Sequence, residues 1–354
     1  MTAAGAVFEV SHVSGLRALN RVLAAMHSDL LRPGGVEGAT VRLPVLNIVA
    51  ACTDDASADT AARAVGRIGA RHYARAIIVV AAPDAATHIE ADVSLQRSVV
   101  DGRTVYAEQV RLSVGGEAAF HLASVVTPLL VHDVPVYLWL IGSPPLEQAF
   151  GQDAVAVCEQ IIVDSGAYRD AGAALGILAR ELGAVGDAVS LADIAWERGR
   201  LWRQLIAQCF DGQQVRAVLR GITAVRVECS TSVSAQGWLM AGWLDSRLRA
   251  VNDEGGWPGT TVVAVASNHG TGKLVRVLLR GRAGDHEAIV TVERRGSALH
   301  SVIDVDGGVG AEGAVPLADV DDVDLVGQQL ETPAEDPVYR LALQAAARLA
   351  GASP

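Results

Sequence analysis

The spacing of apolar residues predicts alternating strands and helices in the first half of the chain and mostly strands in the second half. In the first half, apolar runs at 41–52 and 75–82 alternate with segments at 16–31 and 57–72, whose apolar residues recur at the helical period. A strand, helix, strand order predicts a parallel pair of strands joined by a right-handed crossover. We therefore predict an α/β N-terminal domain with a mixed, largely parallel sheet.

The rest of the first half extends this pattern. Residues 88–95 and 104–113 alternate between apolar and polar positions, as expected for antiparallel or edge strands. The apolar run 134–142 predicts a strand buried on both faces, and 160–164 predicts a further strand. Helices are predicted over 117–132 with an interruption at Pro128, over 146–158 and over 171–182.

In the second half the strands become more regular and shorter. A strand at 222–229 and a helix at 233–248 precede four strand-like runs, which are separated by Gly, Asn, Asp and Ser; they span 261–266, 274–280, 288–294 and 299–305. This spacing is typical of an antiparallel meander. An acidic linker at 319–324 and a closing helix at 336–350 complete a predicted α+β C-terminal domain.

One long amphipathic helix is predicted over 190–211, where Ser190 and Asp193 form a capping pattern and Gly212 follows as a stop. It would open the second of two domains, 1–185 and 186–354. Its apolar residues fill one broad arc: Ile194, Ala195, Leu201, Trp202, Leu205, Ile206, Cys209 and Phe210. Arg198 falls inside that arc, so we expect it to reach a carboxylate such as Asp164, a carbonyl or a ligand.

The opposite face of the same predicted helix carries Trp196, Arg200 and Arg203. Tryptophan and arginine dominate binding energy at many protein interfaces, so these residues are candidates for binding a partner. A purely structural role between two domains explains the same composition. A catalytic role is the weakest interpretation, because no His, Cys–His pair or carboxylate dyad accompanies them.

A second candidate site lies where predicted parallel strands end. Gly142 and Ser143 follow one strand, and Asp164 and Ser165 follow another. Because open α/β sheets bind ligands beyond the carboxyl ends of their strands, these residues could line a ligand crevice. For Asp164, a structural ion pair with Arg198 or Arg203 is the competing interpretation.

Composition narrows the functional classes. The 354 residues carry a formal charge of −11, which disfavours nucleic acid and anionic membranes as partners. No apolar run reaches the length of a membrane span, and residues 1–10 lack the features of a signal peptide. The four cysteines, Cys52, Cys158, Cys209 and Cys229, have apolar neighbours and predict buried thiols in a cytoplasmic protein. No complete phosphate-loop, dinucleotide-binding, zinc or calcium motif is present, so no cofactor or metal is expected.

Several segments together resemble a known family. RHYARAIIVV, AEQV, VTPLLVHDVPVYLWLIGSPP, IIVDS and DIAWERGRLWRQLIAQCFD are similar, in order and spacing, to the glucose-6-phosphate dehydrogenase assembly protein family (OpcA). The resemblance covers about residues 40–212 well and the strands of 222–305 more loosely. The family's motif residues fall here on Arg71, His72, Arg75, Glu108, Asp133, Pro135, Trp139, Asp164, Ser165, Asp193, Trp196, Arg198, Trp202 and Arg203.

This resemblance implies a non-catalytic protein that binds glucose-6-phosphate dehydrogenase and promotes its active oligomer or activates it allosterically. Such a protein would support NADPH supply by the oxidative pentose phosphate pathway. Trp139, together with the Trp196, Arg200 and Arg203 set, is then a candidate partner-binding residue. The alternative is a sugar-phosphate-binding sensor or enzyme that uses the crevice at Gly142, Ser143 and Ser165, where arginine side chains could hold phosphate.

Overall fold

The computed structural model describes residues 6–31, 44–72, 74–100, 103–146, 152–251, 259–318, 320–331 and 336–351. The chain divides into two compact units. The first unit comprises 1–164, 185–192 and 322–334, and the second comprises 165–184, 193–321 and 335–354. The sequence suggested a single boundary after residue 185. The division is instead discontinuous, because two short segments of the second half complete the first unit and residues 165–184 join the second.

The first unit is built on an eight-stranded sheet in the order β1-β4-β5-β3-β2-β6-β7-β8. Its strands are β1 (Ala6–Ser14), β2 (Leu46–Cys52), β3 (Ala74–Ala82), β4 (His88–Val100), β5 (Arg103–Gly115), β6 (Val136–Ile141), β7 (Gln160–Val163) and β8 (Ser190–Asp193). The strands from β5 through β3, β2 and β6 to β7 are parallel neighbours, whereas β4 pairs antiparallel with both β1 and β5. The predicted mixed, largely parallel sheet is confirmed.

The helices of the described residues are mostly short. In chain order they are α1 (Leu16–Leu31), α2 (Asp55–His72), α3 (Leu122–Val126), α4 (Gln152–Val155), α5 (Ala171–Val185), α6 (Ile194–Arg198), α7 (Arg200–Gln208), α8 (Gln213–Val218), α9 (Ala235–Val251), α10 (Asp322–Glu331) and α11 (Pro337–Leu349). Helix α2 connects β2 to β3 and packs on them through buried residues at helical spacing, which include Ala61, Ala64, Val65 and Ile68.

Predictions for two segments, 117–132 and 319–324, are wrong. The helix predicted over 117–132 is instead a 3₁₀ turn at Gly116–Phe120, the short helix α3 and a second 3₁₀ turn at Thr127–Leu129. Proline has no backbone N–H, so Pro128 stops the helix from continuing. The acidic segment at 319–324 contains the start of α10, whose Asp324 Oδ1 accepts a hydrogen bond from Arg67 Nη2 at 3.1 Å.

The second unit contains a six-stranded sheet in the order β10-β9-β11-β12-β13-β14. The strands are β9 (Ile222–Ser230), β10 (Thr260–Val265), β11 (Leu274–Ala283), β12 (His286–Arg295), β13 (Ala298–Val305) and β14 (Gly308–Pro316). Strands β11 to β14 form the predicted antiparallel meander. Two details differ from the prediction: β10 pairs parallel with β9 outside the meander, and β14 was not anticipated.

Alternate residues of β9, β11 and β12 enter the core of the second unit. Val227, Val277 and Val292 are fully buried and belong to one apolar cluster, which also contains Trp202 and Leu205 of α7. The opposite side chains of the same strands are charged or partly exposed, as expected for an antiparallel sheet with helices on one face.

The long helix predicted over 190–211 is wrong as a single element, although its apolar face is correct. Residues 190–193 are the edge strand β8, and Asp193, not Ser190, caps the helix that follows. Gly199 then separates α6 from α7, because glycine has a low helix propensity and its N–H bonds to the Trp196 carbonyl oxygen at 3.0 Å. The second domain therefore does not open with one long helix.

Candidate partner-binding site

The site begins with Asp193, which is almost completely buried. Its backbone is extended, and its Oδ1 accepts hydrogen bonds from the backbone N–H of Ala195 at 2.9 Å and of Ser165 at 3.1 Å. Its Oδ2 accepts a hydrogen bond from the Tyr339 hydroxyl at 3.2 Å. One carboxylate thus caps α6 and connects this helix to two segments that are distant in sequence.

Trp196 lies one turn after this cap. Its Nε1 donates a hydrogen bond to Asp336 Oδ2 at 3.0 Å, and its ring lies 5.6 Å from the Tyr339 ring, measured between centroids. Asp336 also caps α11, because its Oδ1 accepts from the backbone N–H of Val338 and Tyr339. The tryptophan therefore joins the start of α6 to the start of α11.

Arg203 covers the other side of the tryptophan. Its guanidinium carbon lies 3.3 Å from the Trp196 ring centroid, and its Nη1 donates to the Trp196 carbonyl oxygen at 2.6 Å. Burial lowers the pKa of Arg203 to about 10, while the carboxylates of Glu197 and Asp336 act in the opposite direction. Arg203 is therefore a cation at neutral pH and forms a cation–π contact. We call Asp193, Trp196, Arg203, Asp336 and Tyr339 the Trp196 cluster.

The surface at this cluster is formed by charged side chains. Arg200 forms an ion pair with Glu197, and its side chain is 49% exposed. Trp196 is only 3% exposed, and Trp139 on the central strand β6 is also buried. The sequence correctly placed Trp196 beside Arg203. The expectation that Trp196 lies on an exposed helix face is wrong, because Tyr339 and Arg203 pack against its buried ring. The partner-binding roles of Trp196 and Trp139 stay predictions.

The remaining predicted site residues belong to two different units. Gly142 and Ser143 are exposed after β6, and Gly142 has a positive φ of 80°. Ser165 belongs to the second unit and is fully buried, with its N–H directed to Asp193. The role of Gly142, Ser143 and Ser165 as ligand-crevice residues stays a prediction. Asp164 and Arg198 are both half-buried, and their ion pair stays a prediction.

A buried ion pair in the first unit was not anticipated as such. Arg75 Nη2 lies 2.7 Å from Glu108 Oε2, and Arg75 Nη1 donates to the Leu129 carbonyl oxygen at 2.8 Å. Arg75 is the first residue of the strand predicted over 75–82, and it lies in β3. Its neighbours Ala74 and Ala76 gave no signal that a buried carboxylate faces this position from the adjacent strand. Arg71 and His72, whose side chains lie outside the described residues, are in the last turn of α2.

A shallow groove of about 330 Å³ in the first unit was also missed. Most of its charged groups are paired: Arg111 contacts Asp55 at 2.8 Å and the nearby Asp59 at 2.6 Å, and His12 Nδ1 lies 2.9 Å from Asp92 Oδ1. Because these charges are already paired within the groove, they do not identify a ligand.

Other types of site have little support in the described part of the chain. It contains no group of three or more His, Cys, Asp or Glu residues placed to hold a metal ion. Among its helices, none combines the length and apolar character that crossing a bilayer requires. The four cysteines are free, buried thiols, as predicted. Burial raises the pKa of Cys52 to about 12 and that of Cys158 to about 11, so both are protonated at neutral pH.

Comparison with known proteins assigns the two halves of the chain to one family. Residues 65–180 match the family model described as the glucose-6-phosphate dehydrogenase subunit N-terminal domain. Residues 189–343 match the corresponding C-terminal domain. The second match contains every residue of the Trp196 cluster, and the first contains Arg75 and Glu108.

Three cyanobacterial proteins that carry the name OxPP cycle protein OpcA are similar to part of this chain. The protein from Nostoc punctiforme is 31% identical over 144 residues, which are 41% of this chain and 30% of the relative. The Synechocystis protein is 28% identical over 145 residues, with the same two coverages. The Synechococcus elongatus protein is 28% identical over 127 residues, 36% of this chain and 28% of the relative. The matched segment spans less than a third of each relative.

The two domain models, matched in order across residues 65–180 and 189–343, show that the chain belongs to the glucose-6-phosphate dehydrogenase assembly protein family, OpcA.

Proposed function

We propose that this protein is a non-catalytic, cytoplasmic partner of glucose-6-phosphate dehydrogenase that promotes the active oligomer of that enzyme. It would thereby support the oxidative pentose phosphate pathway and NADPH supply. The observation that carries the proposal is the match of both family domains, in order, to one chain.

The Trp196 cluster supports a binding role over a catalytic one. Its hydrogen-bonding groups are directed at one another: Asp193 holds two backbone N–H groups and the Tyr339 hydroxyl, and Asp336 holds the Trp196 indole. Groups engaged in this way hold a surface rigid and are not poised for proton transfer to a substrate. We assign Trp196 and Arg203 to positioning from inside, and the exposed Arg200 to the contact with the partner.

Activation follows from a difference in affinity. A protein that binds the active oligomer more tightly than the inactive form shifts the enzyme towards the active oligomer, whereas equal affinity for both shifts nothing. No reaction by the activator itself is required. The effect must therefore saturate as the activator is titrated and must be accompanied by a change in the enzyme's oligomer size.

The direct test measures the velocity of the dehydrogenase against glucose 6-phosphate, with and without this protein, and the enzyme's mass by light scattering. We expect a lower Michaelis constant or a higher maximal rate together with a larger enzyme oligomer. Unchanged kinetics and unchanged mass at saturating concentrations of both proteins would refute the proposal.

A matched pair of variants tests the contact residue. Arg200→Ala should weaken binding to the dehydrogenase by about tenfold, because arginine is a frequent interface hot spot. Arg220→Ala removes another exposed arginine of the second unit and should leave binding unchanged. Equal affinities for the two variants would argue against Arg200 as a contact.

Calorimetry separates this proposal from the sensor alternative. Titration of the protein alone with glucose 6-phosphate, 6-phosphogluconate and NADPH should give no binding heat. Saturable binding of a sugar phosphate to this chain, in the absence of the enzyme, would favour a sensor.

A further inference from the structure

The second sheet ends in a strand whose outer side is open. Strand β14 pairs antiparallel with β13, and across the described residues no strand pairs with its other side. Seven consecutive residues, Gly308 to Ala314, are exposed, and Val309 at 63% is among the most exposed apolar side chains of the described residues. The open edge therefore presents unpaired backbone N–H and C=O groups from alternate residues to the surroundings.

The composition of β14 leaves this edge accessible. Its sequence, GVGAEGAVP, contains no lysine or arginine, and its proline is the last residue. Proteins usually protect an exposed edge with such residues or with a bulge. The one irregularity in the pairing is a bulge at Gly310 of β14, because the successive residues Ile303 and Asp304 of β13 pair with Ala311 and Val309. It lies near the start of the strand, and the register from Ala311 to Pro316 is uninterrupted. Small side chains on this run allow another backbone to approach.

The charge on the strand indicates which kind of chain it accepts. Glu312 is the single ionisable residue of β14, and its partner across the ladder is Val302, so no cation stands opposite it on β13. An antiparallel second copy centred on Glu312 would bring two carboxylates face to face, which destabilises a strand pair. The formal charge of −11 opposes the approach of two copies as well. A partner strand with lysine or arginine opposite Glu312 would instead form a favourable charge pair with its carboxylate.

We propose that β14 is a docking edge on which an extended segment of glucose-6-phosphate dehydrogenase adds as a seventh strand, with a basic residue opposite Glu312. This inference rests on the proposed function. The backbone of β14 would supply most of the affinity and Glu312 the register, as in other cases of strand addition.

Hydrogen exchange followed by mass spectrometry tests directly which chain binds at the edge of β14. In the free protein, alternate amides of 308–316 should exchange fast; saturating dehydrogenase should slow them by on the order of tenfold or more. Protection that rises with this protein's own concentration would assign the edge to a second copy, and full protection in the dilute free protein would assign it to another part of this chain. Either result overturns the inference.

A charge variant tests the register. Glu312→Arg should weaken binding to the dehydrogenase about two- to fivefold, the range of a cross-strand charge pair, and less at high salt. Glu117→Arg makes the same charge change at an exposed site in the first unit and should have no effect. Equal affinities for the two variants would overturn the proposed pairing at Glu312. If the dehydrogenase binds without protecting 308–316, the docking edge is wrong while the proposed function stands; if it does not bind at all, both fail.

Discussion

Buried charges in this protein are held in pairs or by backbone groups, and Arg75 with Glu108 is the clearest case. Both side chains are less than 10% exposed, and the guanidinium also bonds to the Leu129 carbonyl oxygen. Removing one member of such a pair leaves the other charge without its partner in a poorly solvated place, whereas replacing both with apolar residues can be nearly neutral.

We predict that Arg75→Leu lowers the free energy of unfolding by about 3–5 kcal/mol. The double variant Arg75→Leu with Glu108→Leu should recover most of that loss, because no unpaired carboxylate remains. Urea unfolding of the two single variants and the double variant measures this coupling. Additive losses in the double variant would show that the two residues contribute independently.

Asp193 has a different role, because it satisfies neutral donors. Burial and the neighbouring Asp193 carboxylate raise the pKa of Tyr339 well above its ordinary value, so the tyrosine remains a donor at any neutral pH. Asp193→Ala should cost about 2–4 kcal/mol, from the lost helix cap and the buried hydroxyl left without its acceptor.

The matched controls for Asp193 are Asp193→Asn and Asp211→Ala. The asparagine keeps an oxygen for the cap and should cost clearly less than the alanine. Asp211 is exposed, so its truncation should be nearly neutral. Thermal or urea unfolding distinguishes the three, and a loss for Asp193→Ala no greater than for Asp211→Ala would contradict the role of this carboxylate.

For single residues, the sequence predicted which side chains are neighbours better than it predicted which side chains are buried. A helical projection placed Trp196 beside Arg203, and the two are in contact even though Gly199 interrupts the helix. It could not show that Tyr339 and Asp336, about 140 residues away, cover the indole. Burial by a distant segment leaves no periodic signal within the helix itself, so an inward-facing tryptophan was taken for an exposed one.

Among the elements, helices α9 and α11 approach each other unusually closely, and Gly242 is the reason. A Cβ placed on Gly242 would lie 2.2 Å from the Ala342 carbonyl oxygen and 2.6 Å from the Ala346 nitrogen. These are backbone atoms and cannot move without shifting the whole helix. Glycine here is therefore required by packing, despite its low helix propensity.

Two glycine substitutions test this packing. Gly242→Ala should lower the free energy of unfolding by about 1–3 kcal/mol through overpacking. Gly183→Ala, in α5, meets nothing within 4 Å and should raise it by about 0.5–1 kcal/mol through helix propensity. Melting temperatures should move in opposite directions, and a stabilised Gly242→Ala would show that the two helices can separate at little cost.

Two strands that the sequence did not predict, β8 and β14, share a cause. Strand β8 and strand β14 are edge strands, of which one is four residues long and the other is rich in glycine. Neither shows the alternation or the β-branched composition by which strands are found from sequence. The central strands β2, β3 and β6 were located to within a few residues, because burial on both faces makes them continuously apolar.

For the whole molecule, the buried thiols link stability to alkaline pH. Free thiols titrate near 9.0, but burial raises the pKa of Cys52 to about 12 and that of Cys158 to about 11. At a pH between 9.0 and the raised pKa of a thiol, the unfolded chain has released the proton that the folded protein still holds. Raising the pH therefore favours unfolding, and the stability that is fully present below pH 9 is lost progressively above it.

We predict that the free energy of unfolding is nearly constant up to about pH 8 and then falls. Each thiol should contribute a slope of about 1.4 kcal/mol per pH unit above its unfolded pKa. Urea unfolding at pH 8, 9 and 10 measures the slope. The double variant Cys52→Ala with Cys158→Ala should show a shallower one, and an equal slope would exclude these two thiols as its source.

The discontinuous first unit has a consequence for how the protein is made. Residues 1–164 leave the ribosome first, but β8 and α10 complete that unit only when residues 185–192 and 322–334 have emerged. Until then the nascent chain exposes the edge of β7 and the surface of α2 that carries Arg67. A polypeptide that ends early, for example at a premature stop codon near residue 185, would leave both surfaces exposed. We expect it to aggregate or be degraded, and not to persist as a functional fragment.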